Sequence, residues 1–231
     1  MVETNRRRFL TTSLATAGLA AVPFWPRPAR AALEIDITQG YVEPLPVAIT
    51  PFYGETEALR ERGAAIAKVI EANLKRSGLF EPVDREAFIQ DAASLQAGPR
   101  FADWRLINAQ ALVGGTAETK SDGRLRVAFR LWDVYNERQM AGVAYATTSD
   151  NWRRIAHLIS DEIYKRLTGE KGYFDTQMVY VSESGPQNRR TKRLAIMDQD
   201  GANHRYLTDG SNLVLTPRFS PTRQEITYVS Y

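Results

Sequence analysis

Arg124-Leu125-Arg126-Val127-Ala128-Phe129-Arg130-Leu131 alternates without interruption. Leu125, Val127, Phe129 and Leu131 point one way, and Arg124, Arg126 and Arg130 point the other. This is the period of a strand with one face buried and one face wet. Just upstream, Lys120-Ser121-Asp122-Gly123 is a hairpin signal, and residues 109–119 before it read as the partner strand. Downstream, Asn136-Glu137 turns the chain into a third strand over residues 139–147. A meander with one apolar face has to be covered.

Two helical stretches supply the cover. In residues 57–77, Leu59, Ile66, Ile70 and Leu74 recur at spacings that place them on one helix face. Thr56 can cap the start, Glu57 and Glu61 suit the positive end of the dipole, and Lys75, Arg76 and Gly78 form the expected ending. In residues 152–167, Trp152, Ile155, Ile159 and Ile163 share one side and Gly169 stops the helix. Upstream, residues 46–52 read as a short buried strand ended by proline, and residues 33–38 alternate strictly. Residues 80–99 look irregular, with one short helix around residues 85–90. The pattern predicts an α+β N-terminal domain, a mixed or antiparallel sheet with helices on one face.

After Gly172 the pattern changes. Residues 178–182, 192–198, 204–208 and 225–231 read as short strands spaced by turn signals, including Asp200-Gly201 and Ser220-Pro221. Such spacing suggests a sandwich, barrel or propeller. A single blade cannot bury its own faces, so further repeats are expected beyond Tyr231.

The N-terminus reads as an export leader. Arg6, Arg7 and Arg8 lead into Phe9-Leu10 and a run of small and apolar residues. The run ends at Ala29-Arg30-Ala31, a small-x-small pattern that places cleavage between Ala31 and Ala32. The run is too short for a permanent membrane span. Arg6, Arg7, Phe9 and Leu10 sit as in a twin-arginine export motif, and the weakly apolar run suits that route; an ordinary secretory leader with extra arginines is the alternative. The expected location is the periplasm.

Removing the leader changes the charge. It holds five of the 30 Lys+Arg residues and one of the 27 Asp+Glu residues, so 25 basic and 26 acidic groups remain. The overall pI of 9.1 therefore gives no case for nucleic acid. Stable membrane insertion is not expected either. The 43% hydrophobic content permits a packed core. The chain has no cysteine, which excludes disulfides, thiol nucleophiles and thiolate metal sites. No cofactor is expected.

Two passages carry a family resemblance. Leu167-Thr168-Gly169-Glu170-Lys171-Gly172-Tyr173-Phe174, followed by Val179-Tyr180-Val181, resembles the junction between the N-terminal and propeller domains of the TolB family. Leu194-Ala195-Ile196-Met197-Asp198-Gln199-Asp200-Gly201 and Leu207-Thr208 through Pro217-Arg218-Phe219-Ser220-Pro221 resemble its propeller repeat, and Ala111-Leu112-Val113-Gly114-Gly115-Thr116 its N-terminal domain. The resemblance implies a signal peptide over residues 1–31, a TolB-like domain over residues 32–172 and the start of a β-propeller over residues 173–231. It also implies a periplasmic, non-enzymatic binding component of the Tol-Pal envelope system, which supports outer-membrane integrity and constriction at division. In that family the propeller binds the lipoprotein Pal and the mature N-terminal segment engages TolA. The repeat turn departs from the usual Ser-Pro-Asp-Gly: Ser220-Pro221-Thr222-Arg223 lacks glycine, which predicts a longer or type I form. A propeller-bearing hydrolase of the prolyl-oligopeptidase kind is the competing reading. It needs a G-x-S-x-G elbow, which this sequence does not contain and which that reading places in a catalytic domain beyond Tyr231.

Candidate sites follow. Leu33, Glu34, Ile35, Asp36 and Ile37 form a strand that could add to a partner's sheet edge. Read from alternation alone they pack in the home sheet; the resemblance implies that they engage TolA. His157 and Asp161, four apart on a helix, read as a surface pair more readily than as a dyad or metal site. Asp198-x-Asp200-Gly201 has its glycine too early for a calcium loop and fits a hairpin turn. Arg126 and Arg130 could grip an anion, but a solvated sheet face explains them.

Overall fold

The computed structural model describes residues 43–231. The chain opens with β1 (Leu45–Ile49), followed by α1 (Glu57–Arg76) and β2 (Phe80–Pro82), which pairs with β1 in parallel. A helix between two parallel strands is what the crossover requires. An irregular stretch containing α2 (Phe101–Leu106) leads to β3 (Ala111–Thr119), which lies on the other side of β1, again parallel. Then β4 (Leu125–Asp133) and β5 (Arg138–Thr147) follow as an antiparallel meander. The sheet order is β2-β1-β3-β4-β5, mixed as expected.

Its apolar face meets α1 and α3 (Trp152–Thr168). Ile66, Ile70 and Leu74 of α1 and Ile159, Ile163 and Leu167 of α3 are fully buried there against Val127, Phe129 and Leu131 of β4. Each such side chain contributes about 1.5–3 kcal/mol on leaving water. Gly63 lets α1 approach closely: a Cβ would sit 2.1 Å from the Phe52 carbonyl oxygen. Thr56 caps α1, its Oγ1 accepting from Leu59 N at 3.3 Å. Gly169 ends α3 at φ 76°, the left-handed conformation that glycine adopts without cost.

The opposite face has a smaller cover that the strand and helix patterns missed. Trp104 of α2, Leu95 and Val134 pack there on Ala48, Leu112 and Trp132. Buried Gln90 ties this segment together. Its Oε1 accepts from Trp104 Nε1 at 3.0 Å and from Arg100 N at 2.9 Å, and its Nε2 donates to Gly98 O at 2.8 Å. The short helix expected at residues 85–90 is a 3-10 turn, Arg85–Ala87; with one turn available, no 3.6-residue stripe marks it.

Beyond α3, β6 (Gln177–Ser184), β7 (Thr191–Asp198) and β8 (Arg205–Tyr206) form an antiparallel sheet. β9 (Val214–Phe219) and β10 (Ile226–Ser230) form a second one. β9 was not among the strands expected from the pattern; Thr216 and Pro217 lie within it at a register shift opposite β10, where proline is tolerated. The Ser220–Glu225 turn contains no left-handed residue, in line with the glycine-free form predicted for it; Ser220 Oγ accepts from Thr222 N and Arg223 N. Among the described residues no helix is long and apolar enough to cross a membrane.

Candidate functional site

The N-terminal candidates, namely residues 6, 7, 9 and 10, the 31/32 cleavage point and residues 33–37, lie outside the described residues. The remaining candidates are described, and the fold brings two of them together. His157 on α3 meets the turn after β7, so the helix pair and the Asp-x-Asp-Gly turn form one cluster. His157, Asp198 and Asp200 present ligand atoms within 4.8 Å of one another.

Asp198 anchors the turn, with Gln177 Nε2 at 3.2 Å and Asn203 Nδ2 at 2.6 Å donating to its two oxygens. The Asp198 N donates to Ala202 O at 2.9 Å, closing the hairpin. Asp200 accepts from Ala202 N at 3.1 Å and pairs with the Arg153 guanidinium. Burial pushes the Asp200 carboxyl up, but the Ala202 amide, Arg153 and His157 together outweigh it and hold the group below the usual carboxylate range.

Asp161 takes a different role from its partner in the sequence pattern. Its oxygens accept from Phe174 N at 2.6 Å and Asp175 N at 3.1 Å, clamping the chain as it leaves α3 toward β6. Gly172 is needed beside it, because a Cβ there would lie 2.4 Å from Asp161 Cα. Burial raises the Asp161 pKa despite the two amides.

The protonation of His157 follows from its neighbours. Arg76 can only donate, and it donates to Gln199 Oε1 at 2.8 Å. Gln199 therefore turns its Nε2 to Asn73 Oδ1 at 3.1 Å. Asn73 then turns its Nδ2 to Ser160 Oγ at 3.0 Å and His157 Nδ1 at 2.9 Å. Ser160 spends its own proton on Ala156 O at 2.9 Å and so accepts. His157 Nδ1 is an acceptor, and the imidazole proton sits on Nε2. Buried Nε2 has no hydrogen-bond partner, and Asp200 stands 3.7 Å away, too far to accept. Burial holds the His157 pKa below the ordinary imidazole range, against the pull of Asp200 and Asp198.

This arrangement is poorly suited to a metal ion. Ligation through Nε2 requires the proton on Nδ1, where it would face the Asn73 amide donor. All four carboxylate oxygens already accept hydrogen bonds, one of them from Arg153. Asn73, Arg153 and Gln199 were missed in the sequence. The available signal was one polar residue, Asn73, beside the apolar stripe of α1.

Arg126 and Arg130 lie on the wet face of β4, with Arg126 Nη1 paired to Glu118 at 2.7 Å and Arg130 exposed. They border an open groove of about 290 Å³ floored by Ala128, Gly142 and Ala144.

A sheet-and-helix domain followed by β-meanders is the order in which two family models match the chain. The family model for the TolB amino-terminal domain matches residues 33–140, and that for the TolB beta propeller domain matches residues 164–231. The Tol-Pal system protein TolB of Paramagnetospirillum magneticum is 61% identical over 214 residues, 93% of this chain and 47% of that protein. This chain belongs to the TolB family. Among solved structures, TolB from Acinetobacter baumannii superposes with a TM-score of 0.68 at 25% identity, covering 87% of this chain and 47% of that one. The chain thus spans about half the length of these TolB relatives.

Proposed function

We propose that this protein is a periplasmic, non-catalytic binding component of the Tol-Pal envelope system, linking inner-membrane TolA to the outer-membrane lipoprotein Pal. The reading is carried by the identity to a Tol-Pal system TolB across nearly the whole chain. In it, residues 1–31 are a removed twin-arginine leader, residues 32–172 the N-terminal domain and residues 173–231 the propeller start. Leu33, Glu34, Ile35, Asp36 and Ile37 engage TolA by adding a strand to its sheet edge, where main-chain hydrogen bonds supply affinity and alternate side chains supply specificity. Pal binds through the propeller.

Two experiments test this. Replacing Arg6 and Arg7 with lysine blocks export through the twin-arginine route; undiminished export would remove that assignment. Affinity capture with the mature chain retains TolA, and deletion of residues 32–38 abolishes retention. Equal capture by both proteins would refute the assignment of the TolA-binding segment.

A further inference from the structure

We propose that the contact between α1, α3 and the β7–β8 turn is a proton-operated latch, closed while His157 is neutral and released when a proton enters on Nδ1.

The relay fixes the direction of every hydrogen bond in the latch. Arg76 imposes the orientation of Gln199, Gln199 that of Asn73, and Asn73 makes Nδ1 an acceptor. A proton on Nδ1 sets two donors against each other inside a buried cluster. Asn73 has to turn its oxygen toward the imidazolium, and its amide then confronts Gln199 Nε2 and Arg76 Nη1, which donate to that oxygen at 3.1 and 3.5 Å. The bonds that hold the turn to α1, Gln199 Nε2 to Asn73 and Arg76 to Gln199, cannot all survive this inversion. Buried polar networks lose more than one bond when one member changes role.

The charges around the ring act on the same event. Asp198 and Asp200 face it from the turn, Arg153 and Asp161 from its own helix, Asp175 from the chain after α3, and Arg76 from α1 through the relay. The carboxylates favour the imidazolium, while burial, Arg153 and the Asn73 amide oppose it. Desolvation dominates, so the neutral form is the resting state. Once charged, the ring's attraction to Asp200 pulls it away from Asn73, in the direction that opens the relay.

The linkage has a definite sign. Because the folded state binds this proton less readily than the unfolded chain, His157 costs no stability above the ordinary imidazole value of about 6.5. The cost grows as the pH falls below that value and levels off beneath the folded pKa.

The test is nitrogen-15 NMR of the imidazoles in the full chain, which has two histidines; His204→Gln removes the second signal. At neutral pH the expected spectrum shows protonated Nε2 and bare Nδ1 for His157, with titration below 6.5. Hydrogen exchange of the Gln199 and Ala202 amides should accelerate at least tenfold in step with that titration. Asn73→Asp keeps an acceptor for Gln199 and Arg76 while also accepting from Nδ1–H, so it should move the His157 titration above 6.5 and abolish the acid-driven exchange. A proton on Nδ1 at neutral pH, exchange unchanged across the His157 titration, or a titration unmoved by Asn73→Asp would each overturn the proposal.

Discussion

Asn73 stands one position from Leu74 on α1, fully buried, and it does what an apolar residue there could not. Its two donors and its oxygen reach α3 and the β7–β8 turn at once. A buried amide is costly unless satisfied, and apart from Arg76 on the same helix the partners of the Asn73 side chain lie 84 or more residues away in sequence. The apolar stripe of Ile66, Ile70 and Leu74 was legible because it repeats locally; the partners of Asn73 were not, because no local period encodes them. His157 and Asp161 illustrate the same limit. Their spacing marked a pair, but they face different segments, and only the fold shows Asp161 as a backbone clamp. Asp161→Ala leaves the Phe174 and Asp175 amides without that acceptor and should destabilise by about 1–3 kcal/mol, read as a lower urea midpoint; an unchanged midpoint would show that the clamp carries no stability. Gly63→Ala normally gains about 1 kcal/mol in a helix. Here the new Cβ would meet the Phe52 carbonyl at 2.1 Å, so the sign reverses to a loss of about 1–3 kcal/mol. A stabilised Gly63→Ala protein in thermal melts would contradict that packing.

At the scale of elements, the long helices and the β3-β4-β5 meander were readable because periodicity, caps and turns agree. The Thr56 cap and the Gly169 stop both occur where the sequence placed them. Gly169→Ala forces a side chain into the left-handed region and should cost about 1–2 kcal/mol, whereas Thr56→Ala should cost about 1 kcal/mol through the lost cap. Calorimetric midpoints that fall more for Thr56→Ala than for Gly169→Ala would reverse this ranking. The three-residue β2 and the six-residue α2 escaped because each is too short to show a period, and the short helix expected over residues 85–90 is only the single Arg85–Ala87 turn. Their positions depend on β1 and on Gln90, which are tertiary facts. β9 escaped for another reason: Pro217 reads as a breaker, although a register shift in the strand pair accommodates it.

For the whole molecule, the N-terminal domain and the propeller strands are fastened at one cluster. Arg153 pairs with Asp200, Gln199 with Asn73, and Arg154 with Asp175 at 3.2 Å. None of these pairs is visible as a sequence motif, although the order of the two family patterns was. Through these pairs the turn after β7 is bonded directly to both helices that cover the N-terminal sheet. TolA engagement is proposed for residues 33–37, which precede β1 in sequence. Isothermal titration of TolA into the mature protein, and into the same protein lacking residues 33–37, tests it most directly. Binding should be measurable and should weaken at least tenfold, about 1.4 kcal/mol, on deletion, with the folded midpoint preserved. Equal affinity in the two proteins would contradict it.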